Sequence, residues 1–153
     1  MEAELPKLKH AGIPVAFDFS DDADSEYIRA VAPHVEYAFL SRSGRTKSQV
    51  QEELQEICGY GPSICVATMG EDGAAVYHCG KFFWKHACPT GEVIDTMGAG
   101  DSLIAAFLLE VISRKKQRVF TGQDIQESLL SGTQYAAEVC GIPGAFGFGQ
   151  PCP

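Results

Sequence analysis

Three apolar runs constrain this chain more than anything else in it: Pro14-Val15-Ala16-Phe17-Asp18-Phe19, Val35-Glu36-Tyr37-Ala38-Phe39-Leu40 and Ser63-Ile64-Cys65-Val66-Ala67-Thr68. Each has the length and the branched or aromatic content of a buried strand. Asp24 to Ala32, closed by Pro33, reads as a helix between the first two runs. Thr46 to Cys58, with apolar residues at 50, 54 and 57 among Gln and Glu, reads as a helix between the second and third. Strands that alternate with helices at this spacing call for βαβ units, a mostly parallel sheet and helices layered on it. The expected class is α/β.

The pattern then changes. Gly70-Glu71-Asp72-Gly73 is a tight turn. Ala74 to His78 and Phe82 to Ala87 are expected as a hairpin whose two-residue turn is Gly80-Lys81, glycine first. A helix is expected from about Gly98 to Ser113, with Arg114-Lys115-Lys116 at its end, where cations suit the dipole. Thr121-Gly122-Gln123-Asp124 caps a last helix, Ile125 to Val139, with small residues at 131, 132, 136 and 137 for close packing on a sheet or ligand. Gly141 to Ala145 ends that helix, and 146–153 is a glycine- and proline-rich tail. Residues 1–10 form a short helix or tail. There is no internal repeat and no linker, so 153 residues read as one domain.

The chemistry concentrates in Asp95-Thr96-Met97-Gly98-Ala99-Gly100-Asp101, directly before the apolar run 102–109. Gly98, Ala99 and Gly100 leave backbone N–H groups unobstructed at a helix start, which favours an anion and above all phosphate. Asp101, in the first turn, could take a proton from an attacking hydroxyl while those N–H groups hold developing negative charge. The plainer alternative is a capped helix in which Asp101 only complements the dipole.

Composition fits a globular protein, 45% hydrophobic and 21% charged. A net charge of −8 argues against a nucleic-acid or anionic-membrane surface. No apolar run reaches a membrane span. Six cysteines without CxxC or Cys/His metal spacing, and without a signal peptide, read as reduced thiols in a cytoplasmic protein. The four histidines are scattered, and ligation is not expected of them.

Three motifs in fixed order carry a resemblance: Thr68-Met69-Gly70-Glu71-Asp72-Gly73 after a strand, then Asp95 to Asp101, then a small-residue helix closing on Gly144-Ala145. Together they resemble the C-terminal half of the ribokinase-like (PfkB) carbohydrate kinases, whose DTxGAGD signature the middle string matches. Val15 to Asp21 and the Tyr37-Ala38-Phe39 strand look further like fructoselysine 6-kinases. The resemblance implies a three-layer ribokinase-like sandwich, with residues 1–153 as its nucleotide-binding, catalytic-base part. It implies ATP-dependent phosphoryl transfer to a hydroxyl of a sugar or sugar-amine. Asp101 would be the general base, and Gly98, Ala99 and Gly100 the anion hole. Thr68, Gly70, Glu71, Asp72, Gly73 and Gly100 would lie along ATP, with Thr133 near the adenine. Asp95, with backbone carbonyls of Met97, Val139, Ile142 and Gly144, would form a monovalent-cation site, usually for potassium. Magnesium is implied with ATP.

Two departures stand beside these matches. The family's NxxE motif after the second strand is here Ser41-Arg42-Ser43-Gly44, and Arg42 or Arg45 is left to supply missing charge. Family members also run to about twice this length, so the half with the glycine-rich sugar motifs has no counterpart. Three readings follow: a kinase half, present as a fragment, a truncated gene product or one part of a split protein whose missing half would act in trans; a non-catalytic nucleotide-binding or assembly module of the same fold, for which a homodimer is plausible; and a general α/β nucleotide-binding domain.

Overall fold

The computed structural model describes residues 4–89, 91–117 and 119–144. The elements in chain order are α1 (Leu5–His10), β1 (Ala16–Asp18), α2 (Ser25–Val31), β2 (Tyr37–Ser41), α3 (Lys47–Tyr60), β3 (Ile64–Thr68), β4 (Ala74–His78), β5 (Lys81–Lys85), α4 (Ala99–Gln117) and α5 (Gly122–Cys140). They divide into two compact units, one running to Gly70 and including Ala75–Phe83, the other comprising Glu71–Ala74 and the chain from Trp84 onward.

The first unit carries a five-stranded sheet in the order β1-β2-β3-β4-β5. β1 pairs with β2 in parallel (Ala16 opposite Tyr37, Asp18 opposite Phe39), and β2 with β3 (Tyr37 opposite Ile64, Ser41 opposite Thr68). The helical connections α2 and α3 give the chain the length that parallel neighbours require. Only five residues join β3 to β4 and two join β4 to β5, so these connections turn the chain back. The sheet is mixed and mostly parallel, as the run spacing predicts.

The two central runs are buried as expected, Tyr37–Leu40 and Ile64–Ala67 being at most 5% exposed. Apolar side chains on both faces are what a covered parallel sheet demands. Val50, Leu54 and Ile57 on α3 are buried with them. The first run differs. Only three of its residues form β1, and Ala16 and Asp18 are exposed, because β1 is the edge of the sheet rather than an interior strand. Phe19, just beyond it, takes the core position at 2% exposure.

The caps explain where the helices start. Asp24 accepts the Tyr27 N–H at 2.7 Å, and Thr46 with Gln49 closes a reciprocal capping box on α3. Pro33 does end α2, within a 3-10 turn at Ala32–His34. The hairpin turn falls one residue earlier than the glycine-first reading places it. Cys79 (φ 48°) and Gly80 (φ 74°) are its central residues. Positive φ at both is the primed turn that matches strand twist, with glycine second.

In the second unit α4 and α5 pack as a pair. Gly132 fits where a Cβ would meet the Leu103 carbonyl at 3.0 Å and the Leu103 side chain at 3.2 Å. The small residues of α5 therefore serve, at this position, an approach to a helix and not to a sheet. Thr121 caps α5, with Asp124 accepting its N–H at 2.7 Å and its hydroxyl at 2.6 Å. Asp124 is fully buried and also accepts from Arg114 at 3.4 Å. Arg114 further pairs with Glu110 and Glu127, so the cluster at the end of α4 is partly an inter-helix brace. α4 runs on to Gln117, beyond the expected stop at Ser113. Ala145 and the tail that follows lie outside the described residues. Among the described residues no helix is long and apolar enough to cross a membrane.

Candidate active site

The string 95–101 folds as a turn that feeds α4, which begins at Ala99. Gly98 has φ 78°, a conformation that costs a side-chain-bearing residue. The Ala99 N–H donates to the Thr96 carbonyl at 3.2 Å, while Ser102 closes the first helical bond on the Gly98 carbonyl, by its N–H at 2.9 Å and its hydroxyl at 2.7 Å. The N–H groups of Gly98, Gly100 and Asp101 have no acceptor among the described residues. Of the three donors expected from sequence, Gly98, Ala99 and Gly100, the Ala99 N–H is already used within the turn. A Cβ on Gly100 would meet nothing within 4 Å, so the space above this helix start is open. Asp101 is exposed, and its carboxylate has no partner among the described residues. Ser102 behind it is completely buried.

Asp95 has a different task. One carboxylate oxygen accepts the Met97 N–H at 2.9 Å, the other the Gly144 N–H at 3.0 Å across 49 positions of sequence. The Cys140 carbonyl accepts from the Ile94 N–H at 2.8 Å and the Asp95 N–H at 3.2 Å, and the Val139 carbonyl accepts from the Ile142 N–H at 3.0 Å. The sequence-derived set Asp95, Met97, Val139, Ile142 and Gly144 is therefore one structural neighbourhood, built by tying the 94–97 loop to the end of α5. Its donors are hard oxygens, carbonyls with a second lone pair and a carboxylate, the chemistry a potassium ion takes.

Beside this neighbourhood lies a cavity of about 700 Å³, lined by Cys88, Pro89, Glu92 and Ile94 on one side and by Gln134, Ala137, Glu138 and Gly141 along α5. That volume suits a small-molecule ligand. Thr133, the residue singled out from sequence, is 4% exposed and donates to the Leu130 carbonyl at 3.0 Å. It sits against the Cys88 sulfur at 3.5 Å, behind the lining rather than in it. The lining residues 134, 137, 138 and 141 fall at helical spacing, so the signal that sequence reading passed over was the face next to the one carrying Thr133.

The string 68–73 is placed as a 3-10 turn, Gly70–Asp72, after β3. Thr68 bonds the Leu40 carbonyl at 3.5 Å, and Gly70 (φ 59°) lies against Ser43. Glu71 and Asp72 are exposed. Gly73 (φ 103°) runs so close to residues 85–87 that a Cβ would stand 2.1 Å from the Lys85 carbonyl oxygen.

Arg42 does not supply free charge in place of the absent NxxE residues. It is 4% exposed, held by Glu53 through Nε at 2.9 Å and Nη2 at 2.8 Å, and donates to the Ser20 and Ser41 carbonyls. A buried cation needs this full set of partners, so Arg42 is committed to the frame. Arg45 is half exposed and only 3.9 Å from Glu53. Among the described residues there is no group of three His, Cys, Asp or Glu side chains poised to hold a metal.

A second concavity, of about 380 Å³, opens at the carboxyl end of β1 among Phe17, Asp18, Phe19, Asp22, Asp24 and Tyr27. Its three rings touch, with Phe17 and Phe19 4.8 Å apart and Tyr27 6.2 and 6.3 Å from them. The carboxyl ends of parallel strands are where α/β sheets bind ligands.

A profile described as pfkB family carbohydrate kinase matches residues 3–148. The chain belongs to the PfkB family of carbohydrate kinases. Among curated relatives, the fructosamine kinase FrlD of Bacillus subtilis (strain 168) is 37% identical over 151 residues, covering 99% of this chain and 50% of the relative. The fructoselysine 6-kinase of Escherichia coli (strain K12) is 34% identical over 145 residues, covering 95% and 52%. This PfkB chain therefore spans about half the length of the curated relatives it matches. Solved structures show the same fold. The Salmonella enterica aminoimidazole riboside kinase, complexed with aminoimidazole riboside and an ATP analog, superposes with a TM-score of 0.72 at 20% identity, over 94% of this chain and 51% of that one. Arabidopsis thaliana ribokinase, complexed with ribose and ATP, gives 0.73 at 20% identity, over 94% and 46%. The fold is ribokinase-like.

Proposed function

We propose that this chain is the nucleotide-binding and catalytic-base part of a carbohydrate kinase that phosphorylates a sugar or sugar-amine of the fructoselysine type. The observation that carries this reading is the pairing, on one turn, of N–H groups at Gly98, Gly100 and Asp101 with the Asp101 carboxylate, none of which has a partner among the described residues. Phosphoryl transfer asks for positioning and charge stabilisation more than for covalent chemistry. In this reading Asp101 accepts the proton of the attacking hydroxyl, and the three N–H groups receive the charge of the transferring phosphoryl group.

The 700 Å³ cavity between the 88–94 loop and α5 would take the adenine end of ATP, with Gln134 and Glu138 offering polar contacts and Ile94 and Ala137 apolar ones. Thr68, Gly70, Glu71, Asp72 and Gly73 are assigned to the nucleotide as the family resemblance implies. Potassium suits the Asp95 neighbourhood, where it would fix the loop that presents the anion hole. Magnesium, which would neutralise phosphate charge, fits as an ion borne by the nucleotide, needing few protein carboxylates. The aromatic and acidic lining at Phe17, Tyr27, Asp18 and Asp22 supports an acceptor carrying an ammonium group, since rings and carboxylates both attract one. The remaining part of the sugar site would correspond to the half of each relative that this chain does not cover. The loss of the NxxE residues favours one competing reading, a non-catalytic module of the same fold.

Calorimetry with ATP in potassium and in sodium tests the first step; binding that strengthens in potassium is expected, and no nucleotide binding in either would overturn the proposal. Mixing with the uncovered half of a relative and assaying phosphorylation of fructoselysine tests the second. Asp101→Asn should then lower kcat by about 10²- to 10⁴-fold, the usual worth of a general base.

A further inference from the structure

Helix α4 is apolar on two sides. At about 100° of turn per residue, Leu103, Phe107 and Val111 share one side and are buried, at 4% exposure or less. Leu103 on that side meets Gly132 of α5. Ile104, Ala105, Leu108, Leu109 and Ile112 share the opposite side. There Leu109 is 68% exposed and Ile112 41%, Ala105 is exposed, and Ile104 and Leu108 are half-buried. The neighbouring helix is built differently: α5 turns Gln123, Gln126, Gln134 and Glu138 to the outside. A helix that is apolar all round belongs inside an assembly, and a continuous exposed apolar stripe marks a surface that another body covers. The ends of the stripe say which body. Asp101 lies on the same side one turn before Ala105, and Lys115 and Lys116 lie there one turn after Ile112; all three are exposed. About the midpoint between Leu108 and Leu109, Ala105 stands opposite Ile112 in position and Asp101 opposite Lys116. The stripe is therefore complementary to its own reverse, acidic end to basic end.

We infer that the outward stripe of α4 binds a second copy of this chain. The two α4 helices lie antiparallel about a twofold axis at Leu108 and Leu109, and Asp101 of each copy meets the partner's Lys116. Twofold pairing uses one patch on both copies, which is what a self-complementary stripe supplies. The antiparallel arrangement also sets the positive end of each helix dipole beside the negative end of the other. Burial of the five apolar side chains drives association. The exposed charge pairs at the rim add little affinity but fix direction and register, since a parallel pairing would set Asp101 against Asp101 and Lys116 against Lys116. One helix face is a small interface, so a dissociation constant on the order of 10 µM is expected. The dimer engages the carboxylate assigned above to the attacking hydroxyl, so on that reading it is the idle state of the chain. The test reads molecular mass alone and stands without that reading.

Sedimentation equilibrium of the chain from about 1 to 300 µM, a range that brackets a small interface, should show the mass rising from 16.5 kDa to twice that value and stopping there. Leu109→Glu changes an exposed residue beside the axis and should weaken the dimer at least about tenfold, because two like charges then face each other. Asp101→Lys and Lys116→Glu should each dimerise several-fold more weakly than the native chain. An equal mixture of those two variants should recover the native association, since both rim pairs are again of opposite charge in the mixed dimer. Circular dichroism of each variant confirms its fold before the masses are compared. A monomer at every concentration, growth past two copies, or a Leu109→Glu chain that pairs as well as the native one would overturn the proposal. A mixture no stronger than either variant alone would overturn the antiparallel pairing. A monomeric chain that instead binds the uncovered half of a relative, and loses that binding with Leu109→Glu, would assign the stripe to that half and overturn the second copy.

Discussion

Single positions in this chain separate sharply into those that hold the frame and those that face outward. Gly73 belongs to the first kind twice over, by its φ of 103° and by a backbone oxygen 2.1 Å from where a Cβ would sit. Gly73→Ala should lower stability by about 2–4 kcal/mol, read as a shift of the urea midpoint at unchanged m-value. A loss under about 0.5 kcal/mol, the range of an ordinary surface substitution, would show that the turn can move away. The two carboxylates of the 95–101 string were separable in sequence only by resemblance, and they differ in the bonds they make. Asp95 spends both oxygens on backbone N–H groups, whereas Asp101 spends neither among the described residues. Arg42 shows the converse. Sequence offered it as a free cation, but nothing local to residues 41–45 announces that Glu53, a helical turn and more away on α3, will claim it.

At the scale of elements, helix starts were the most legible feature because their signals are chemical and local. Asp24, Thr46 and Thr121 each cap the helix they precede. Thr121→Ala removes a hydroxyl that bonds Asp124, which is fully buried and also braces Arg114 from α4. The expected cost is about 1–2 kcal/mol, in the upper range for a cap, and thermal unfolding monitored at 222 nm reads it. A change of no more than a few tenths would mean that the hydroxyl adds little to what the Thr121 N–H and Arg114 already give Asp124. Strand ends were less legible. Periodicity registers hydrophobic content, which Pro14 to Phe19 has, but cannot register that β1 would lie at an edge with two of its three residues exposed. The hairpin turn slipped by one residue because Cys79, a residue with no turn preference, adopts the positive φ that sequence reading reserves for glycine. The cavity beside α5 was hidden for a related reason: its walls come from a loop and a helix 40 or more positions apart, and only the helix half has a periodic signal.

For the molecule as a whole, fold class was written in the order of apolar runs, and family membership in seven residues. What could not be read is how the half not covered by this chain would be met. β1 leaves one side of the sheet open, and the backbone groups of Ala16 and Asp18 that do not face β2 lie along it. Open strand edges recruit other strands. Mixed with the uncovered half of a relative, the chain should elute from a sizing column as a one-to-one complex, and Ala16→Pro, which removes a donor from the open side of β1 and locks its backbone, should weaken that complex. A complex indifferent to the proline would place the contact elsewhere. The strand order has a further consequence, for synthesis rather than for the finished protein. Because β1 to β5 pair strictly with their sequence neighbours, each of β2 to β5 on leaving the ribosome meets a partner that has already emerged. The sheet can therefore grow vectorially, in step with translation, with one growing edge presented at a time.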